Sequence, residues 1–194
     1  VTRLLSPRFV IGTLLVLSVL LAAVFAPLVA PYNPSDQDLL ATLAPAAWQH
    51  GGSAAHLLGT DSLGRDVLSR LIYGARAAML VAVAAAGGAA LIGTLLALAS
   101  GYLGGWIDWL IGRTVDVWMS FPPVILALIL MTGLGTGLFN VILAIILVDW
   151  TRFCRVLRAE VLVVTHRDHV AAARLLGFSH LRTVLLEVLP AVLP

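Results

Sequence analysis

Three stretches without a charged side chain govern what this chain can become: Phe9 to Ala30, Ala77 to Ile107 and Val117 to Val148, of 22, 31 and 32 residues. A helix rises ~1.5 Å per residue and the hydrocarbon of a bilayer is about 30 Å thick, so each stretch is long enough to cross it. Inside lipid the backbone must satisfy its own hydrogen bonds, which leaves helices as the available form for such runs. With 60% apolar residues, 11% charged residues and a mean hydropathy of +1.02, the chain has too little polar surface for a soluble domain. The expected fold class is all-α, a polytopic transmembrane helical bundle.

Arg3 and Arg8 precede the first run with no acid nearby, which places the N-terminus inside. A signal peptide is the other reading of this run, but its apolar core is longer than the usual ~7 to 15 residues, so residues 1–30 are expected to be a cytoplasmic lead and an uncleaved first span. A first residue other than Met suggests that some residues precede it. Pro27, Pro31 and Pro34 close the span, and residues 31–76, rich in Asn, Ser, Asp and Gly, form an extracytoplasmic segment. Near its end Asp61 or Ser62 can cap a helix, Leu63, Val67 and Leu71 recur at every fourth position, and Asp66 can pair with Arg70, which predicts a short amphipathic helix at the outer interface.

Residues 77–194 form the remaining unit, with spans expected at about 77–101, 109–132 and 138–150, a cytoplasmic loop at about 151–182 and the start of a further span at 183–194. Within the first of these, Ala85, Ala89, Gly93, Ala97 and Gly101 repeat every fourth residue. Small residues let helices approach closely in lipid, and a ridge that drifts ~40° per step suits packing against several neighbours. Arg113 and Asp116 are spaced to pair on one helix face. Pro122 and Pro123 must kink or break the next span, because each removes a backbone donor and its ring crowds the preceding turn. The kink either lines a solute path or serves packing alone. Gly133, Gly135 and Gly137 mark an outer turn, needed if the arginine-rich loop is to return inside.

That loop holds Arg152, Arg155, Arg158, Arg167, Arg174 and Arg182, six of the twelve basic residues. Their position beside apolar runs fits membrane orientation, and without interleaved aromatic residues it gives no nucleic-acid surface. The sequence contains no lysine, so it cannot form a P-loop, whose lysine neutralises nucleotide phosphates. Any ATP-driven motor must therefore be another polypeptide. The single Cys154 excludes an internal disulfide and reads as an inert thiol. His166 and His169 lack the further ligands a metal needs, and no cofactor is expected.

Two motifs carry a resemblance. Gly59-Thr60-Asp61-Ser62-Leu63-Gly64-Arg65-Asp66-Val67-Leu68-Ser69-Arg70-Leu71-Ile72-Tyr73-Gly74-Ala75-Arg76 resembles the segment before the second span of C-type permease subunits of dipeptide, oligopeptide and nickel ABC importers. Ala171-Ala172-Ala173, Gly177 and Leu189-Pro190 resemble the "EAA" loop of the same subunits, EAA-x3-G-x9-I-x-LP. Ala171 stands where Glu is usual and Glu187 where Ile is usual; Glu187 can pair with Arg182 or with a partner. The resemblance implies a type I importer permease fold and a heterodimer with a second permease subunit. It also implies an extracytoplasmic solute-binding protein and separate ATPase subunits that grip Ala171, Ala172, Ala173, Gly177, Leu189 and Pro190. It places the chain in a bacterial inner membrane, and the sequence then ends just as a fifth span begins, which suggests truncation.

The expected function is thus a non-enzymatic permease for peptides that alternates between inward-open and outward-open states. Nickel or another small solute is an alternative cargo. A non-transporting membrane protein is a further alternative, with the basic loop resting on lipid head groups. An intramembrane protease would need a nucleophile elbow, a His-Glu-x-x-His pair or intramembrane aspartates, and the spans carry none of these motifs.

Overall fold

The computed structural model describes residues 6–192, and every regular element among them is helical. The chain divides into two compact units, Val1–Leu80 and Val81–Pro194.

In the first unit, helix α1 (Pro7–Val24) begins where the Ser6 hydroxyl accepts the Phe9 N–H at 3.3 Å, with donorless Pro7 in the first turn. Leu14, Leu15, Val16 and Leu17 on successive faces are all exposed, as suits a helix bathed in hydrocarbon rather than one with a wet side. Phe25 interrupts the helix and a single turn follows, α2 (Ala26–Val29). Residues 31–66 contain one 3-10 turn (Leu39–Ala41), whose Leu40 N–H is accepted by the Asp38 carboxylate at 3.0 Å.

The separate interfacial helix expected from Asp61 onward does not form. The Gly59–Asp66 stretch is a tight turn closed by an antiparallel bridge between Thr60 and Asp66, and Val67 opens the long helix α3 (Val67–Leu98). Two local facts prevent helix here. Gly64 sits at φ +72°, and the Asp61 carboxylate collects the N–H groups of Leu63 and Arg65 at 2.9 and 3.0 Å, so the backbone coils around the side chain. Asp66 is the actual cap, accepting the Ser69 N–H at 2.7 Å, and the expected Asp66–Arg70 pair is replaced by Arg70 with Asp61.

In the second unit, α3 ends in a π-helical turn (Ala99–Leu103), and Gly104 and Gly105 at φ +65° and +57° reverse the chain into α4 (Gly105–Met119). The Phe121-Pro122-Pro123 sequence does more than kink the next span. Pro122 is extended, as a residue before proline prefers, and α5 (Pro123–Leu134) leaves at 92° to α4. Gly135 and Gly137, at φ +80° and +141°, then turn the chain into α6 (Leu138–Thr165).

Helix α6 does not stop at residue 150, as expected, but runs for 28 residues from Leu138 to Thr165, past the end of the last uncharged run at Val148. No Gly or Pro interrupts it, and Trp150, Cys154, Leu157, Val161 and Val164 follow a four-three repeat that keeps one apolar seam buried or partly buried beyond the arginines. The seam lies against the small residues of α3. A Cβ added to Gly93 would stand 2.5 Å from the Phe153 Cβ and 2.7 Å from the Trp150 carbonyl, and one on Gly101 would stand 2.7 Å from a Val161 methyl. Ala85, Ala89 and Ala97 are buried as well, Ala97 among Val115, Trp150 and Cys154.

Among the described residues, α1 and the stretch Val67–Leu103 are each long and apolar enough to cross a membrane, and the bent pair α4–α5 makes a third candidate.

Candidate functional site

Past α6 the chain forms an elbow. Helix α7 (Asp168–Leu175) is followed by Gly177 at φ +85°, where the Phe178 N–H bonds the Ala173 carbonyl at 3.1 Å and the Gly177 N–H bonds the Arg174 carbonyl at 3.0 Å. This is a Schellman ending, and glycine occupies its left-handed position because an L side chain would be strained there. The Ser179 hydroxyl accepts the Arg182 N–H at 3.4 Å and starts the single turn α8 (His180–Thr183). A π-helical stretch (Val184–Val188) leads to α9 (Leu189–Val192). Pro190 accounts for the wide turn: it has no N–H and its ring crowds the carbonyl one turn back, so the Leu189 N–H reaches five residues back to Val184.

The motif residues separate into two groups. Ala171, Ala172 and Gly177 are exposed, beside Leu175 at 89% and Leu176 at 79% exposure, and together they make an apolar knob. Ala173 faces the other way and is buried, so it is absent from the outer surface expected for all three alanines. Leu189 packs into the core with Val161, Val164, Val170 and Val188, and only Pro190 of that pair is exposed. Arg182 does not pair with Glu187; its guanidinium lies over the Phe178 ring, 4.1 Å from the centroid. The His166 Nδ1–H donates to the Leu162 carbonyl at 2.7 Å.

The elbow's supports were not visible in the sequence. Asp108, in the first turn of α4, takes a forked contact from Arg158 of α6, with Nε–Oδ1 at 2.5 Å and Nη2–Oδ2 at 2.6 Å, and Ser100 joins both. Asp116 pairs with Arg113 at 2.7 Å and with Arg155 at 3.2 Å. Two of the arginines assigned to a loop are therefore held by α4 carboxylates. Such partners lie 39 and 50 residues apart, beyond any local spacing rule; the only hint was that Arg158 adjoins the apolar seam. On the same helix pair, the Trp118 indole N–H donates to the Leu147 carbonyl at 2.5 Å, which fixes the end of α4 just before the break at Pro122 and Pro123.

The elbow thus presents an apolar tip on a short helix whose inner face is packed, and it follows directly on α6. Residues 89–194 match the family described as binding-protein-dependent transport system inner membrane component, and residues 6–46 match the N-terminal TM domain of oligopeptide transport permease C. The chain is 45% identical over 181 residues to the dipeptide transport system permease protein DppC of Escherichia coli K12, covering 93% of this chain and 60% of that protein. It is 41% identical over 179 residues to the di/tripeptide transport system permease protein DppC of Pseudomonas aeruginosa, covering 92% of this chain and 59% of that protein. The chain thus spans about three fifths of the length of these curated relatives. A permease-type helical architecture, a family match over more than half of the sequence and a second match at its start agree, and the chain belongs to the family of inner membrane components of binding-protein-dependent transport systems.

Proposed function

We propose that this protein is a permease subunit of an ABC importer that passes di- or oligopeptides across the inner membrane. In this reading a solute-binding protein delivers the peptide outside, a second permease subunit completes the path, and separate ATPase subunits receive the knob of Ala171, Ala172, Leu175 and Leu176 in a groove. ATP-driven closure of the ATPases then displaces the elbow and shifts the bundle between its two access states. The N-terminus and the elbow face the cytoplasm, and the break at Pro122 and Pro123 borders the solute path. The peptide cargo is favoured over nickel by the relatives, whose names specify dipeptide or di/tripeptide transport.

The observation that carries this reading is the exposed apolar tip on a short helix whose inner face is fully packed, with Val170 at 0% and Ala173 at 5% exposure. A tip that is apolar and yet rigidly backed suits a protein groove better than a head-group surface, which favours basic side chains. The test is a Leu175→Cys variant in a Cys154→Ser background, co-expressed with its neighbouring ATPase subunits. A maleimide cross-linker is expected to join the elbow to an ATPase from the cytoplasmic side, and Gly177→Arg is expected to abolish labelled-dipeptide uptake while the complex stays in the membrane. Labelling of the introduced thiol only from the outside, or undiminished uptake by Gly177→Arg, overturns the proposal.

A further inference from the structure

Tyr102 lies in the π-helical turn at the end of α3, and it is the point where the elbow touches that helix through polar chemistry. Its ring is 8% exposed and belongs to the apolar cluster with Leu98, Val161, Val170 and Val188. Its hydroxyl lies 3.1 Å from His180 Nδ1, and the two rings meet edge to face with centroids 5.9 Å apart. The Arg174 guanidinium stands over the same ring, 4.8 Å from its centroid. Arg174 lies in the last turn of α7 and His180 opens α8, so one side chain holds both arms of the elbow, either side of Gly177, around which a Cβ would meet nothing within 4 Å.

We propose that Tyr102 is a positioning residue that ties both arms of the elbow to α3, so that a displacement of the tip is passed to the membrane helix instead of being absorbed at Gly177. Apolar packing by Val170 and Val188 alone allows the arms to slide, because dispersion has no preferred direction. The hydroxyl and the ring face add directional contacts, and π-helical turns recur where a helix carries a functional side chain. The transport consequence rests on the coupling reading above; the tie itself does not.

The test uses spin labels at Leu103 and Leu175, both exposed, in the Cys154→Ser full chain reconstituted in bilayers. The parent is expected to give one narrow distance distribution. Tyr102→Phe, which keeps the ring and loses the hydroxyl, is expected to raise the population of a broader, undocked component about fivefold, the worth of one ordinary hydrogen bond. Arg174→Gln is expected to raise it about two- to fivefold, with Arg174→Lys restoring the parent distribution because a cation again covers the ring. Superimposable distributions in Tyr102→Phe and Arg174→Gln overturn the tie. In the assembled transporter the same two variants are expected to lower peptide uptake per ATP hydrolysed by a similar factor, whereas a merely structural defect lowers uptake and hydrolysis together. A loosened elbow with an unchanged ratio overturns the transmitting role. A parent complex without uptake counts against the permease reading and leaves the distance result to decide the tie.

Discussion

Gly64 shows how much of the segment at residues 31–66 depends on single atoms. An added Cβ would fall 1.8 Å from the Asp38 carbonyl oxygen, and the residue already sits at φ +72°. Gly59 is similar, with the Ala44 carbonyl 2.3 Å from its would-be Cβ and φ at +76°. Gly64→Ala is expected to cost more than about 3 kcal/mol, since a backbone clash and a left-handed strain coincide. Limited proteolysis between residues 31 and 66 should report it as rapid cleavage. Asp61 adds a pH dependence. Desolvation pushes its carboxyl upward, but the N–H groups of Arg65 and Leu63 and the Arg65 guanidinium outweigh this and hold it at about 2, below the usual 3.8. A carboxyl lowered by folding stabilises the fold above its unfolded value, and that contribution disappears as the pH drops from 3.8 through about 2. Hydrogen exchange of residues 59–66 is expected to accelerate across this window in the parent, and Asp61→Asn is expected to be less protected at neutral pH and flat across it.

At the scale of the element, the α3–α6 seam makes a sharp comparison possible. Gly93 meets Phe153, Trp150 and Cys154 closely enough that a methyl group must part the helices, while a Cβ on Gly87 of the same helix meets nothing within 4 Å. Gly93→Ala is expected to destabilise by about 1 to 3 kcal/mol through overpacking. Gly87→Ala is expected to be neutral or to stabilise by up to ~1 kcal/mol through helix propensity. Thermal unfolding in one detergent, parent beside both variants, distinguishes them. The same seam explains where local reading succeeded and where it did not. The four-residue spacing of small side chains, the Pro122-Pro123 break, the glycines after Leu134 and the left-handed Gly177 are all local features, and each was legible. The cap at Asp66 was missed because Leu63, Val67 and Leu71 also fit a helical period, which does not register the bonds from Leu63 and Arg65 to the Asp61 carboxylate or the positive φ of Gly64. The extension of α6 was missed because the end of an uncharged run marks where charges begin, which need not be where a helix ends. Asp108 with Arg158 could not be found without knowing that α4 folds back along α6.

For the whole molecule, the stretches free of charge indicated a membrane bundle, and the two motifs pointed to the family to which the chain belongs. What they could not supply was which motif residues are buried and which are exposed: Ala173 and Leu189 pack at the elbow's base, whereas Ala171, Ala172, Leu175 and Leu176 form its exposed tip. Replacing Leu175 and Leu176 by Ser is therefore expected to leave folding within about 0.5 kcal/mol, as exposed positions usually do, while weakening capture of the ATPase subunits in a pull-down. Ala173→Leu is expected to do the reverse first, lowering the unfolding temperature before any partner is added.

The right-angled break between α4 and α5 bears on the lipid itself. Its limbs have 15 and 12 residues, or ~22 and ~18 Å of helix, so neither bridges ~30 Å of hydrocarbon unaided. The bilayer has to thin where this pair meets it, or neighbouring protein has to take the place of lipid there. Shortening the acyl chains of the surrounding phospholipid is thus expected to raise the thermal stability of the isolated chain, and lengthening them to lower it.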